Sequence, residues 1–266
     1  MRLIMLGTGN ALVTKCYNTC FLLEEGESYF LVDGGGGNTI LRQLQKAEVD
    51  YRMVQHIFVT HKHVDHIMGI IWLLRVIGQA MQKEEIKKDV YIYSHAEVLH
   101  MLTEIAQMLL QEKQTKWIGK RIHFIEITDG ERRSILGHEV IFFDIQSTKA
   151  KQYGFTMQMS EGEKLTCCGD EPYRPCEFAY AQGSKWLLHE AFCLYEQAEQ
   201  FKPYEKNHST VKDACELAAR LGVKNVVLYH TEDQNLEKRK QLYEAEGKRF
   251  FDGGIYVPED LESIEL

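Results

Sequence analysis

Three histidines and one aspartate fall within six residues of the stretch Thr60-His61-Lys62-His63-Val64-Asp65-His66, directly after the apolar run Ile57-Phe58-Val59. No packing requirement selects that combination. In an extended segment His61 and His63 point to the same side, and a helix beginning near Asp65 turns Asp65 and His66 back toward the same point. Imidazole and carboxylate donors together suit zinc, manganese or iron, and four of them exceed the three protein ligands typical of one catalytic zinc. The stretch reads as a metal site at the mouth of a strand, and the donor count favours two ions over one.

Four further polar clusters each follow an apolar strand: Cys168-Gly169-Asp170, His189-Glu190-Ala191-Phe192, His208-Ser209-Thr210 before a helix, and Tyr229-His230-Thr231. Strand ends gather on one rim of a sheet, so these clusters can meet the histidine stretch in space.

The elements that must position them are legible from periodicity. Leu3 to Leu6, Cys20 to Leu23 and Tyr29 to Val32 read as a small antiparallel sheet, its second turn marked by Glu24-Glu25-Gly26-Glu27. Thr39 to Ala47 reads as a helix carrying Ile40, Leu41 and Leu44 inward. The glycines of Asp33-Gly34-Gly35-Gly36-Gly37 lack the following Lys-Ser/Thr of a phosphate loop and read as a tight turn beneath a neighbouring site. Gln55 to Thr60 is a buried strand, Ile67 to Met81 a helix buried on most sides, and Val90 to Tyr93 another strand. Glu97 to Gln111 places Val98, Met101, Leu102, Ile105, Met108 and Leu109 at helical spacing; core packing is the expected use, with a homodimer or substrate face as the alternative. Strands follow at Ile122 to Ile127, Ser134 to Leu136, Val140 to Ile145, Gly154 to Met159, Leu165 to Cys168, Trp186 to Leu188 and Val226 to Tyr229, with a helix at Ser209 to Leu221. Strands and helices thus occur twice over in similar order, the pattern of two sheets covered by helices.

The 266 residues show no linker and no repeat, so one domain spanning 1–266 is expected. Hydrophobic residues at 44% and charged ones at 26% are ordinary for a soluble globular protein. A formal charge of −8 disfavours a large nucleic acid as partner, since polyanions would have to be met by a local basic patch. Met1 to Gly7 reads as a first strand rather than a signal peptide, and no run approaches a membrane span. Seven cysteines without paired spacing suggest small core residues in a reduced, cytoplasmic setting.

Taken together, Leu6-Gly7-Thr8-Gly9, Asp33-Gly34-Gly35, the histidine stretch, Gly169-Asp170, His189-Glu190-Ala191-Phe192, His208-Ser209-Thr210 and His230 resemble the metallo-β-lactamase superfamily, in its ribonuclease Z and small phosphodiesterase branch. The resemblance implies an α/β fold, the four-layer αββα sandwich. It implies two divalent ions, zinc being usual: His61 and His63 on one, Asp65, His66 and His230 on the other, Asp170 bridging. Two ions about 3.5–4 Å apart would lower the pKa of a water and hold both oxygens of an in-line displacement at phosphorus. The family role of His208 is to protonate the leaving oxygen, with Glu190 orienting it. Backbone N–H groups of Ser209 and Thr210 could hold a phosphate oxygen, or these residues could simply cap a helix. His189 would be a structural partner behind the site.

Two departures shape the expectation. The branch has a third histidine on the first metal, before an aromatic pair here represented by Tyr153-Gly154-Phe155. Asp144-Ile145-Gln146-Ser147-Thr148-Lys149 contains none, and His138 lies at the far end of its strand. The first site is thus expected to be weak or empty, completed by water, Gln146 or Ser147. Enzymes of the branch that mature transfer RNA carry a long arm where Ser147 and Asp170 are separated here by one hairpin. A metal-dependent phosphodiesterase of a small, cyclic or nucleotide-like substrate is therefore the leading reading. A hydrolase of lactones, thioesters or other acyl compounds is the alternative on the same fold, and a metal-binding scaffold without activity is the non-enzymatic one.

Overall fold

A computed structural model of the protein describes residues 1–266, the side chain of Glu161 excepted. The strands are β1 (Arg2–Gly7), β2 (Cys20–Glu25), β3 (Ser28–Val32), β4 (Val54–Phe58), β5 (Val90–Ser94), β6 (Ile122–Glu126), β7 (Arg132–Ile135), β8 (His138–Asp144), β9 (Tyr153–Gln158), β10 (Lys164–Cys167), β11 (Trp186–Glu190), β12 (Asn225–Tyr229), β13 (Gly254–Tyr256) and β14 (Ser263–Glu265). The helices are α1 (Thr39–Lys46), α2 (Val64–Gln82), α3 (Ala96–Leu109), α4 (Glu112–Thr115), α5 (Phe178–Ala181), α6 (Ala198–Phe201), α7 (Val211–Leu221) and α8 (Arg239–Gly247). They divide between two compact units, one of Met1–Gly7, Tyr17–Thr128 and Asp260–Leu266, the other of Thr8–Cys16 and Asp129–Glu259.

The first unit holds a seven-stranded sheet in the order β14-β1-β2-β3-β4-β5-β6. It is antiparallel from β14 to β3 and parallel from β3 to β6. Leu22, Leu31, Ile57 and Ile92 of the sheet share one core with Ile40 and Leu44 of α1, Ile70, Leu73, Leu74 and Ile77 of α2, and Val98 and Leu102 of α3. Contrary to the expectation that no run approaches a membrane span, α2 passes for one by length and composition, yet 67% of its most apolar window is buried, which is the behaviour of a core helix. The α3 stripe divides: Met101 and Ile105 pack on the core, whereas Met108 and Leu109 are exposed.

In the second unit the sheet runs β13-β12-β11-β10-β9-β8-β7, antiparallel from β7 to β10 and parallel from β10 to β13. Its core joins Leu187, Val226 and Leu228 to Ala214, Leu217, Ala218 and Leu221 of α7. Between Ser147 and Asp170 the regular structure is the β9–β10 hairpin with a 3-10 turn at Ser160–Gly162, as the sequence suggests.

Each sheet therefore repeats one plan, an antiparallel half followed by a parallel half. In the parallel half the carboxyl ends of successive strands share an edge, the place where α/β sheets put their ligands. Asp33 and the histidine stretch leave that edge in the first unit; Asp170, Glu190 and His230 leave it in the second. All seven cysteines are free and five of them are buried.

Candidate metal centre

The first cluster is built around Asp33, at the end of β3 beside β4. Its two carboxylate oxygens accept hydrogen bonds from the Thr60 backbone N–H and the Thr60 hydroxyl, both at 2.8 Å. Because that hydroxyl has given its one hydrogen to a carboxylate, it must accept from His61 Nδ1, 2.9 Å away. His66 donates from Nδ1 to the same carboxylate at 2.7 Å. Both rings thus have Nδ1 protonated and present Nε2 as a ligand atom, the usual outer support of a metal-binding histidine.

His63 is the N-cap of α2, with φ −64° and ψ 148°, so the chain is extended through the histidines and helical from Val64. His61 Nε2 lies 2.8 Å from His63 Nδ1, and His66 Nε2 lies 3.3 Å from Asp65 Oδ2. The rings of His61 and His66 are 4.2 Å apart. The four expected ligands of this stretch therefore form two adjoining pairs, His61 with His63 and Asp65 with His66. Asp33 belongs to a motif of the resemblance, but no role at the site was assigned to it from sequence; the available signal was an acid ending the strand next to the histidine-bearing one.

The glycine cluster seats this arrangement. Gly34 N–H donates to the His66 carbonyl at 2.9 Å and Gly69 N–H to the Gly35 carbonyl at 2.8 Å, so the turn after β3 lies against the first turns of α2. A Cβ on Gly69 would fall 1.8 Å from the Gly34 carbonyl oxygen. Neither backbone can yield without moving His66. Gly69→Ala is expected to cost about 1–3 kcal/mol as an overpacking substitution and to lower metal content; thermal melting and elemental analysis of the variant check this.

In the second unit Asp170 Oδ2 lies 3.6 Å from His230 Nε2. His230 adopts the left-handed conformation at φ 58°, a strained backbone of the kind found at functional sites. The His208 ring stacks on Phe192 at 5.0 Å and stands 5.2 Å from that of His230. Glu190 is fully buried, with Oε2 at 3.6 Å from His208 Nδ1. The expected acid and its orienting carboxylate are thus neighbours.

Ser209 and Thr210 differ from one of their two expected roles. The Ser209 N–H donates to Glu190 Oε1, and the Thr210 N–H donates to Asp213 Oδ2 at 2.9 Å in the capping box that starts α7. Neither group is available to a phosphate oxygen, because local carboxylates already satisfy them.

None of the expected stand-ins for the missing imidazole is placed as a ligand, and Asp170 is instead supported from behind by a glutamine. Gln146 is exposed, Ser147 donates to Glu171 at 2.7 Å, and His138 contacts the Gln158 carbonyl at the far end of β8. Instead Gln152, 1% exposed, donates from Nε2 to Asp170 Oδ1 at 2.7 Å. Gly169, at φ 79°, permits this approach, since a Cβ there would sit 2.6 Å from the Gln152 amide nitrogen. The Tyr229 hydroxyl, kept protonated by burial, holds the Gly169 carbonyl from the other side. Gln152→Ala is expected to weaken metal binding by about 10–100-fold, the effect of losing an outer-shell partner; calorimetric zinc titration of the apoprotein measures it.

Comparison with known proteins identifies the fold and the class. The chain is 26% identical to the ribonuclease Z of Methanocaldococcus jannaschii over a 312-position alignment covering 100% of this chain and 97% of that one. The crystal structure of the metallo-β-lactamase fold protein YhfI from Bacillus subtilis matches with a TM-score of 0.76 at 16% identity over 99% of each chain. A diphosphatase of the PhnP family matches with a TM-score of 0.74 at 16% identity, over 100% of this chain and 97% of that one. The fold is the α/β sandwich of the metallo-β-lactamases, and fold and site together define a metal-dependent, phosphodiesterase-like hydrolase of the ribonuclease Z-like branch. Within that class, a family model described as Anti-Pycsar protein Apyc1 matches residues 1–251, and the chain belongs to that family.

Proposed function

We propose that residues 1–266 act as one hydrolase domain that cleaves a small, nucleotide-like phosphodiester. The observation that carries this reading is the support of the donors: Asp33 and Thr60 fix His61 and His66 with Nε2 presented, while Gln152 fixes Asp170. Such nitrogen and carboxylate donors fit small divalent cations, zinc first, with manganese and iron served by the same set. By the family resemblance, His61 and His63 would serve one ion and Asp65 and His66 the other from the first unit, while Asp170 and His230 are the donors of the second unit. When bound, such ions would supply Lewis acidity for activating water and for stabilising charge on phosphoryl oxygens. With one imidazole fewer than the branch supplies, the first site would be the weaker.

The chain's own residues supply the proton. His208, stacked on Phe192 and beside the buried Glu190, is placed to protonate the departing oxygen. That acid favours a phosphodiester over an acyl substrate, whose hydrolysis needs it less. A small substrate is favoured by the β9–β10 hairpin standing where a long arm would be needed, and by the net charge of −8. The alignment with the ribonuclease Z is longer than this chain, so that relative carries insertions absent here. Seven free thiols fit a cytoplasmic setting. Hydrolysis of bis(4-nitrophenyl) phosphate, lost on chelation and restored by zinc or manganese, tests the reading; no metal-dependent turnover on this or a nucleotide panel would refute it.

A further inference from the structure

His230 takes its left-handed turn, at φ 58°, between two residues that are each tied down. Before it, the Tyr229 carbonyl accepts the Ala191 N–H at 2.9 Å and the Tyr229 hydroxyl donates to the Gly169 carbonyl. After it, the Thr231 N–H donates to the Thr8 carbonyl at 3.0 Å, and the Thr231 carbonyl accepts from the backbone and side-chain amides of Asn10 at 3.0 and 3.1 Å. Thr231 is thereby laid as a parallel bridge against Gly9. A strained backbone persists only where its surroundings over-determine it.

The side chains of that bridge meet one cation. Arg239, the first residue of α8 and 1% exposed, donates to the Thr231 hydroxyl, to the Thr8 hydroxyl at 3.1 Å and to the Pro258 carbonyl at 2.8 Å. Thr8 and Thr231 are both fully buried, so water is a poor substitute for this donor. The three acceptors are uncharged oxygens, and what suits them is the planar fork of a guanidinium, which spans several acceptors at once where an ammonium is a point charge. All of these residues belong to the second unit.

We propose that Arg239 is a positioning residue for His230: by joining the Thr8 and Thr231 hydroxyls it fixes the turn that holds His230 Nε2 3.6 Å from Asp170 Oδ2. The proposal rests on the reading of His230 as a metal donor. Its test is calorimetric zinc titration of the apoprotein, with visible absorption of the cobalt-loaded protein, in Arg239→Met, His230→Ala and the double variant. Methionine keeps much of the side chain's length and removes its donors. Arg239→Met is expected to weaken by about tenfold the same ion that His230→Ala weakens, as loss of an outer support does, to leave the other ion unchanged and to shift the cobalt bands. The double variant should bind no more weakly than His230→Ala alone, because residues that act through one another are not additive. Should Arg239→Met not melt as a folded protein, Thr231→Val removes the clamped hydroxyl at nearly constant shape and is held to the same outcomes. Wild-type affinity in the folded variant, equal weakening of both ions, or losses that add in full in the double variant would overturn the role. Failure of the donor reading shows separately, as a wild type that takes up no zinc or a His230→Ala protein that binds as the wild type does, and it would overturn the proposal with it.

Discussion

Asp65→Ala is expected to reduce metal content and to bring phosphodiester hydrolysis down to the level of the chelated protein. Asp65 stands in the first turn of α2, 5% exposed, with its carboxylate 3.3 Å from His66 Nε2. No neighbouring acid in that stretch can take its place, since the Asp33 carboxylate is already committed to Thr60 and His66. The acid also sits favourably at a helix N-terminus, a contribution of about 0.3–1 kcal/mol, so a small fall in melting temperature is expected beside the loss of metal. Asp65→Asn keeps the shape and removes the charge. Elemental analysis and bis-aryl phosphate assays of both variants separate loss of the ligand from loss of the fold. Full turnover by a folded Asp65→Ala protein would contradict the ligand assignment.

His208→Ala should cost about 10²–10⁴-fold in rate on substrates whose leaving oxygen needs a proton, the range of a positioned general acid. Its signature is selectivity. A nitrophenolate departs as a stable anion, so bis(4-nitrophenyl) phosphate should lose much less than an alkyl or nucleoside phosphodiester. Metal content should stay as in the wild type, because His208 is not among the proposed ligands. Glu190→Gln should follow the same pattern more weakly; Glu190 Oε2 acts only through the ring 3.6 Å away. Equal losses on activated and unactivated esters would remove His208 from the role of acid.

The strands and long helices that carry the chemistry were legible because their burial is one-sided and apolar. β1 to β12 and α1, α2, α3 and α7 all stand where periodicity places them. The chain after Tyr229 was not legible, and α8 shows the physical reason. Its inward face carries Arg239, Tyr243, Glu246 and Gly247, so charged groups occupy positions where an apolar stripe is read. Arg239 is 1% exposed and donates to Thr8 Oγ1, Thr231 Oγ1 and the Pro258 carbonyl. Glu246 accepts from the Tyr195 N–H. Such polar burial satisfies loops, and no period in the sequence announces it. β13 and β14, at three residues each, are too short for alternation to register.

At the site, ligand types were readable and their supports were not. The four donors of the histidine stretch follow from residue type and spacing, and Asp170, His230 and the His208–Glu190 pair from the family resemblance, whereas Asp33 and Gln152 act through contacts over 27 and 18 residues of chain. The absence of a histidine near Ser147 was plain in the sequence, but the presence of a glutamine against Asp170 is a tertiary fact. It depends on the bend at Gly169.

The central claim is that two clusters of histidine and aspartate donors make this chain a metal-dependent phosphodiesterase. Metal content and phosphodiesterase rate measured on one preparation, before and after chelation and zinc return, test it most directly. The account predicts bound divalent metal, one ion held more weakly than the other, and a rate that disappears and returns with it. A protein that binds no metal, or a hydrolysis rate indifferent to chelation, would contradict it.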